Sequence, residues 1–444
     1  MPRHPVARGC RSGGAFRPRT VLMLTLVWIC GMWAAGTPVP ARAAGGGAPV
    51  GSRAGAVSRP AATGHIARDG AFALNGRAMW IWEMPSSEGG DLSSIITAAH
   101  RYGVSTLLVK SSDGTNPWSQ FSPALVSALH ANGVRVCAWQ YVYGDNPVTE
   151  AYLGAYAVRD GADCLVIDAE SEYEGKYVSA QTYVRRLRSL IGYRYPLVLA
   201  GFPYVDFHPA FPYSVFLGPG GAQYNAPQMY WRDIGVTTDS VFAHTYSFNL
   251  PYQRPIFPLG QVYGHPPAHQ IVRFRELARA YGASGVSWWD WQEAPAAAWT
   301  AISRPAGTLA GYTPYTVMAN LGEGSQGDMV VWLQEHLIGA GYAIGVNGNF
   351  GNETLADIQA FQTAHGLAAD GIVGPATWQA LLRYRDARIT WFHHGRSIVA
   401  TPALALVRAA RSRGAQGIVM PVPGSASLPS WRNELRGEPG RGRP

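Results

Sequence analysis

Between residues 65 and 302, short apolar, aromatic runs alternate with longer stretches of helical periodicity. Eight runs read as strands: 78–83, 106–110, 135–141, 164–168, 196–201, 227–231, 256–261 and 285–289. Helix patterns with recognisable ends lie between them. Residues 91–102 are apolar at 92, 95, 96 and 99, and Gly103 follows. Ser122 and Pro123 supply the cap and first turn of the next helix, and Gly133 closes it. Residues 146–159, 180–191 and 268–281 behave alike. The fifth and sixth units are the least regular, because 205–225 is rich in Pro, Gly and aromatics. Eight strand–helix alternations predict an α/β fold, a (β/α)8 TIM-type barrel over 65–302. A doubly wound open sheet is the alternative. Against it, the first strand runs into Trp80-Ile-Trp-Glu-Met-Pro-Ser86, without a glycine-rich phosphate turn.

A second periodic unit spans 317–382. Residues 328–337 are apolar at 330, 331, 333 and 337. The turn Asn347-Gly-Asn-Phe-Gly351 leads to a helix over 354–365, with Ile358 and Phe361 on one face. A second turn, Asp370-Gly-Ile-Val-Gly374, leads to a third helix from Pro375 to Leu382. Each turn places Gly where φ must be positive. With Gly327-Asp-Met-Val330, Leu333-Gln334, Gly341-Tyr342, Thr354, Phe361-Gln362, Gly366-Leu367 and Thr377-Trp378, this stretch resembles the peptidoglycan-binding domain 1 family, a small three-helix wall-binding module. Asn347 stands where that family commonly has Asp. The resemblance implies binding of wall glycan or peptide stems. We expect the contact surface near Gln334, Asn349 and Gln362.

The flanks are of low complexity. Residues 44–64 and 303–316 read as linkers. Arg17 and Arg19 precede an apolar run from Val21 to Gly36, and Ala41-Arg-Ala43 offers small residues before a cleavage point, so 1–43 read as a secretory signal peptide. An uncleaved anchor is the alternative, but the run is short for a span. The expected product is secreted and cell-wall associated, with no stable membrane span. Residues 383–444 carry a strand-like run at 388–392, a helix pattern at 402–412 and a Pro/Gly/Arg-rich end. They read as a basic appendage, or as a basic arm for anionic wall polymers.

The chain of 444 residues has 36 Lys+Arg against 28 Asp+Glu, a formal charge of +8. Six Arg and no acid fall in 1–43, and 11 Arg against 3 acids fall in 383–444. The body is therefore net acidic, which argues against a nucleic-acid partner. Of four cysteines, Cys10 and Cys30 leave with the signal. Cys137 and Cys164 remain in apolar runs on neighbouring strands, where buried free thiols are expected and pairing is the alternative.

In such a barrel the chemistry sits at the C-terminal strand ends. The fourth strand ends Asp163-Cys-Leu-Val-Ile-Asp168-Ala-Glu170. Residues two apart share a face, so Asp168 and Glu170 both point into the mouth, where one carboxyl should keep its proton. An ion pair or helix cap is the bland alternative. Other strand ends supply Trp82 and Glu83, Trp139 and Tyr141, Tyr230 and Trp231, and Trp288, Trp289 and Asp290. Each Trp alone could be core; together they suit sugar rings, whose CH faces stack on aromatic surfaces. The pattern resembles glycoside hydrolase barrels of families 25 and 18. That resemblance implies Glu170 as general acid, Asp168 as the residue orienting the substrate N-acetyl group, Tyr230 as its helper, and Trp288 or Trp289 as the floor. Family 18 carries Asp four before the Glu; here that is Val166, while Asp163 fits the place seven before. The first-strand Asp of family 25 has Glu83 as its nearest counterpart. No cofactor or metal is expected: His265-Pro-Pro-Ala-His269 cannot form a helical zinc pair. The expected function is hydrolysis of a β-1,4 bond in peptidoglycan or a related N-acetylated glycan. The alternatives are a non-catalytic wall-binding protein with a glycosidase-like barrel, and an enzyme on an exogenous polysaccharide.

Overall fold

The computed structural model describes residues 73–394, 397–402 and 418–420. The expected signal peptide, the 44–64 linker and nearly all of the 402–412 helix lie outside them. Eight parallel strands form the centre: β1 Gly76–Ile81, β2 Thr106–Asp113, β3 Arg135–Val142, β4 Cys164–Ala169, β5 Leu197–Ala200, β6 Tyr224–Asn225, β7 Leu259–Gln261 and β8 Gly285–Trp289. They pair in chain order, and β8 returns to β1 with Ala78 opposite Ser287. The helices are α1 Leu92–Tyr102, α2 Pro123–Ala131, α3 Pro147–Arg159, α4 Tyr177–Ile191, the single turn α5 Tyr213–Phe216, α6 Thr238–Asn249, α7 Ala268–Ala280 and α8 Ala296–Ser303. The predicted caps form: Asp91 accepts from the Ser94 amide and Ser122 from the Leu125 amide.

Side chains alternate across the ring as the strand period requires. Ala78, Trp80, Leu108, Cys137, Trp139, Cys164, Val166 and Val198 fill its interior. Met79, Ile81, Val109, Val136, Leu165 and Ile167 face outward to the helices.

The ring closes at β6, where the predicted strand over 227–231 is corrected. Pro227 has no amide to give a ladder. The regular strand is only Tyr224–Asn225, and Trp231–Ile234 is already a helical turn. Single hydrogen bonds carry the closure on both sides. Ala226 N donates to Leu199 O (2.7 Å) and Gln228 N to Gly201 O (2.9 Å). Towards β7, Phe257 N donates to Asn225 O and Met229 N to Leu259 O, each at 2.8 Å.

Cys137 and Cys164 form a disulfide, which corrects the expectation of free thiols. They stand directly opposite in the β3–β4 register, both inward, with Cα atoms 4.6 Å apart. Neighbouring parallel strands in that register bring the two sulfurs within bonding reach.

The second unit is three helices: α9 Asp328–Gly339, α10 Asn352–Ala364 and α11 Pro375–Leu381. Every residue of α9 from Asp328 to Leu337 is buried. A helix covered all round needs two partners. One face meets Ile358, Phe361 and Trp378 of its own module; the other meets the barrel. Trp332 Nε1 donates to Pro251 O (2.8 Å). The Asp328 carboxylate accepts from the hydroxyls of Tyr177 (3.0 Å), Ser214 (2.7 Å) and Tyr252 (2.8 Å), and from the Ser214 amide (2.7 Å). Gly327 (φ +102°) lets the chain press on Pro209, which a Cβ would approach to 2.5 Å. The predicted linker runs along the barrel, with Tyr315 N donating to the Tyr281 hydroxyl (3.1 Å). The appendage begins as a hairpin, β9 Ile389–His394 and β10 Ser397–Pro402, joined by β11 Ile418–Met420. Gln181 on α4 donates to Ile389 O (2.8 Å) and accepts from Trp391 N (3.0 Å), so the hairpin packs on the barrel.

The disulfide closes a loop with a sequence separation of 27 residues. Replacing both cysteines by Ser should lower unfolding stability by about 3–4 kcal/mol. Urea denaturation of the two proteins measures this.

Candidate functional site

Strand ends around the ring converge on one mouth. The β3–β4 register sets Tyr141 opposite Asp168. Asp168 is buried just inside the rim; Glu170, two residues on, is half-buried. The two carboxyls are bridged by one amide. Gln228 Nε2 donates to Asp168 Oδ1 and to Glu170 Oε1, each at 2.9 Å. Tyr141 donates its hydroxyl to Glu172 Oε2 (2.8 Å), in the helical turn Ser171–Tyr173 that follows β4.

Trp80, Trp139 and Trp289 form the floor, with ring centroids 5.3–5.5 Å apart. Trp139 Nε1 donates to Ile81 O (3.0 Å), which locks its ring. A register shift in β2 between Lys110 and Ser112 sets Lys110 beside this floor. Its ammonium pairs with Asp113 (2.6 Å) and lies 4.5 Å from the Trp118 ring centre and 4.8 Å from that of Trp139. The Asp113 carboxylate also accepts from the Tyr143 hydroxyl (2.9 Å).

Burial pushes the Asp168 carboxyl well up, and the charge of Glu170 adds to it; Lys110 and the Gln228 amide oppose. Burial also raises Glu170, with Glu172 adding and Gln228 and His208 opposing. Carboxyls so placed titrate as a pair and hold a proton above the ordinary carboxylate range. Tyr230 stays neutral: burial raises its hydroxyl well up, and Tyr263, Asp168, Glu170 and Asp290 add to this. An acid, a carboxylate and a phenol over an indole floor can bind a sugar and protonate a leaving oxygen.

The other predicted residues divide. Trp289 faces the mouth, whereas Trp288 packs outward on Phe274 (5.2 Å) and over Gly260. Trp231 also lies behind the sheet, donating to Gln270 Oε1 (2.8 Å). Neither can touch a ligand in the mouth, which corrects both assignments. Trp82 and Glu83 are exposed at the rim, and Glu83 accepts from the Ser86 hydroxyl (3.0 Å). Asp163 is at the opposite end of β4, bound to His130 (2.8 Å) and the Val136 amide (2.9 Å), so it has no part in the site. Asp290 is fully buried, and neither oxygen completes a hydrogen bond. Burial, then Glu293, pushes its carboxyl up to about 7, although the backbone amides of Glu293 and Asp290 itself favour ionisation.

Sequence reasoning missed Gln228, Lys110, Asp113 and Glu172. Two of them carry a readable signal. Glu172 continues the alternation Asp168, Glu170, and Gln228 stands two before Tyr230.

In the helical module, Gln334 and Gln362 are buried and brace the two turns, so they are not wall contacts. Gln334 donates to Asn347 Oδ1 (2.9 Å) and accepts from the amides of Asn347 and Gly348. Gln362 donates to Asp370 Oδ1 (3.0 Å) and accepts from the Gly371 amide. The module is thus a twice-used helix–turn unit, each turn held by one buried amide. Asn349 is half-buried and part of the first turn. Among the described residues, no helix is long and apolar enough to cross a membrane, and no group of His, Cys, Asp and Glu is arranged to hold a metal ion.

The family model described as "Putative peptidoglycan binding domain" matches residues 326–381. The zinc D-Ala-D-Ala carboxypeptidase of Streptomyces albus G is 44% identical over 75 residues, which are 16% of this chain and 29% of that protein. An uncharacterized protein of Kitasatospora aureofaciens is 41% identical over 93 residues, 20% of this chain and 76% of that protein. The chain thus spans well under two thirds of the carboxypeptidase. A chitinase from Chromobacterium violaceum ATCC 12472 aligns with a TM-score of 0.39 at 11% identity, covering 51% of this chain and 98% of that one. So distant a likeness carries no argument; the barrel rests on its own strand pairing.

The buried Asp290 predicts a pH dependence. Its folded-state value of about 7 lies above the ordinary 3.8, so its contribution to stability is present below about 4 and lost as pH rises through 7. Asp290→Asn should therefore match the wild type near pH 4 and melt higher than it at pH 8. Thermal melts at the two pH values test this.

Proposed function

We propose that this chain, which belongs through residues 326–381 to the peptidoglycan-binding domain family, is an exported cell-wall hydrolase that cleaves a β-1,4 bond of peptidoglycan or a related N-acetylated glycan. The observation that carries the reading is the pair Asp168 and Glu170, bridged by Gln228 over an indole floor, on a chain with a wall-binding domain. A zinc carboxypeptidase with a similar segment fits a wall location, but the segment leaves the reaction open. The carboxyl pair and indole floor are what favour glycoside hydrolysis in this reading. The disulfide suits an oxidising compartment, as export requires.

In this reading a pyranose ring lies on Trp289. Glu170 gives its proton to the glycosidic oxygen as the C1–O bond breaks. The substrate acetamido oxygen attacks C1, held by Asp168 and Tyr230, and takes the place of an enzyme nucleophile. Water then opens the cyclic intermediate, and its proton returns to Glu170. Lys110 offsets part of the negative charge around Asp168. The exposed Trp82 extends the apolar surface at the rim.

Reducing-end release from purified peptidoglycan by residues 44–444 tests the proposal. Glu170→Gln should cut release by about 10²–10⁴-fold and leave pelleting with the wall unchanged. Pelleting by both proteins with no release from wall or other N-acetylated glycans would instead mark a glycan-binding protein on a glycosidase-like barrel.

A further inference from the structure

We infer that Gln228 is a positioning residue, whose amide holds Asp168 and Glu170 apart and assigns one N–H to each carboxyl. The inference rests on the hydrolase reading but concerns the state of the pair itself. The geometry is specific. One nitrogen has two hydrogens, and two carboxyl oxygens from different residues lie 2.9 Å from it. An amide in this position donates to both and accepts no proton from either. With one oxygen of each carboxyl taken by an N–H, the amide competes with a direct shared proton between Asp168 and Glu170. The proton of Glu170 stays free for the leaving oxygen, and the charge left behind meets an N–H already in place.

The backbone around Gln228 is held on both sides of the seam. Its amide donates to Gly201 O (2.9 Å) at the end of β5. The residue bridges to Leu259 of β7, and its carbonyl accepts from Tyr230 N (2.8 Å). The segment that closes the ring thus carries both Gln228 and Tyr230 to the mouth. The inward-facing Val166, two residues before Asp168, offers Asp168 no polar partner on its own strand. Gln228 supplies from the segment after β6 what β4 lacks.

The test compares wild type, Gln228→Leu and Gln228→Glu, each as residues 44–444. Removing a donor that favours the charged form of each carboxyl raises both of their pKa values. In Gln228→Leu, kcat on peptidoglycan should fall about tenfold to a hundredfold with KM little changed, and both limbs of the pH–rate profile should move to higher pH. Gln228→Glu keeps the shape but adds a third carboxyl, and should also move the limbs upward. A residue that only supports the fold would lower the melting temperature and leave the limbs in place. That outcome would overturn the inference. Carbon-13 NMR titration of labelled Asp and Glu carboxyls gives a readout that needs no turnover. If the wild type releases no reducing ends yet Gln228→Leu moves the titrations of Asp168 and Glu170 upward, the hydrolase reading fails and the positioning role stands. If those titrations are the same with and without the Gln228 amide, the positioning role fails whatever the activity.

Discussion

Everything at the mouth depends on how the barrel closes. Seven gaps between strands are spanned by regular pairing, but the eighth is spanned by single bonds on either side of residues 225–229. Pro227 prevents a full ladder there. The chain instead makes the contacts it can and turns sharply after Gln228. That turn brings Gln228 to the two carboxyls and lifts Tyr230 beside them. A longer regular strand would continue the ladder where the turn now aims the side chains. A weak seam and a well-ordered site are thus one feature of the sequence.

Two further constraints keep the ring in register. The disulfide ties β3 to β4 four residues below the site, at the pairing that also sets Tyr141 opposite Asp168. Asp328 ties the helical module to the barrel through three hydroxyls and an amide. Burial pushes its carboxyl up to about 6, and the four donors pull against that rise. With α9 covered on both faces, the module is built into the molecule. Wall engagement through the module would then hold the mouth at a set angle, in addition to raising the local substrate concentration.

Much of this was legible in the chain. Seven of the eight strand runs, the caps at Asp91 and Ser122 and the glycine turns of the module are local signals. So was the alternation of Asp168 and Glu170. What was not legible needed a neighbour. Trp288 and Trp289 are chemically alike, and only the β8 register sends one to the helices and the other to the mouth. Cys137 and Cys164 are 27 residues apart, and only the parallel register of β3 and β4 sets them face to face. Gln334 and Gln362 look like surface amides until the turns fold back over them. Lys110 reaches the site because β2 shifts register. Apart from the sixth strand, which Pro227 cuts short, the misses were side chains whose partners were set by tertiary pairing.

The central claim is that a sugar ring lies on Trp289 with its glycosidic oxygen at residue 170. A crystal structure of Glu170→Gln soaked with a tetramer of N-acetylglucosamine measures this directly. The account predicts a pyranose stacked on Trp289, its acetamido group between Asp168 and Tyr230, and the glycosidic oxygen within hydrogen-bond distance of the side chain at 170. Sugar bound only on the helical module, with the mouth empty at saturating ligand, would contradict it.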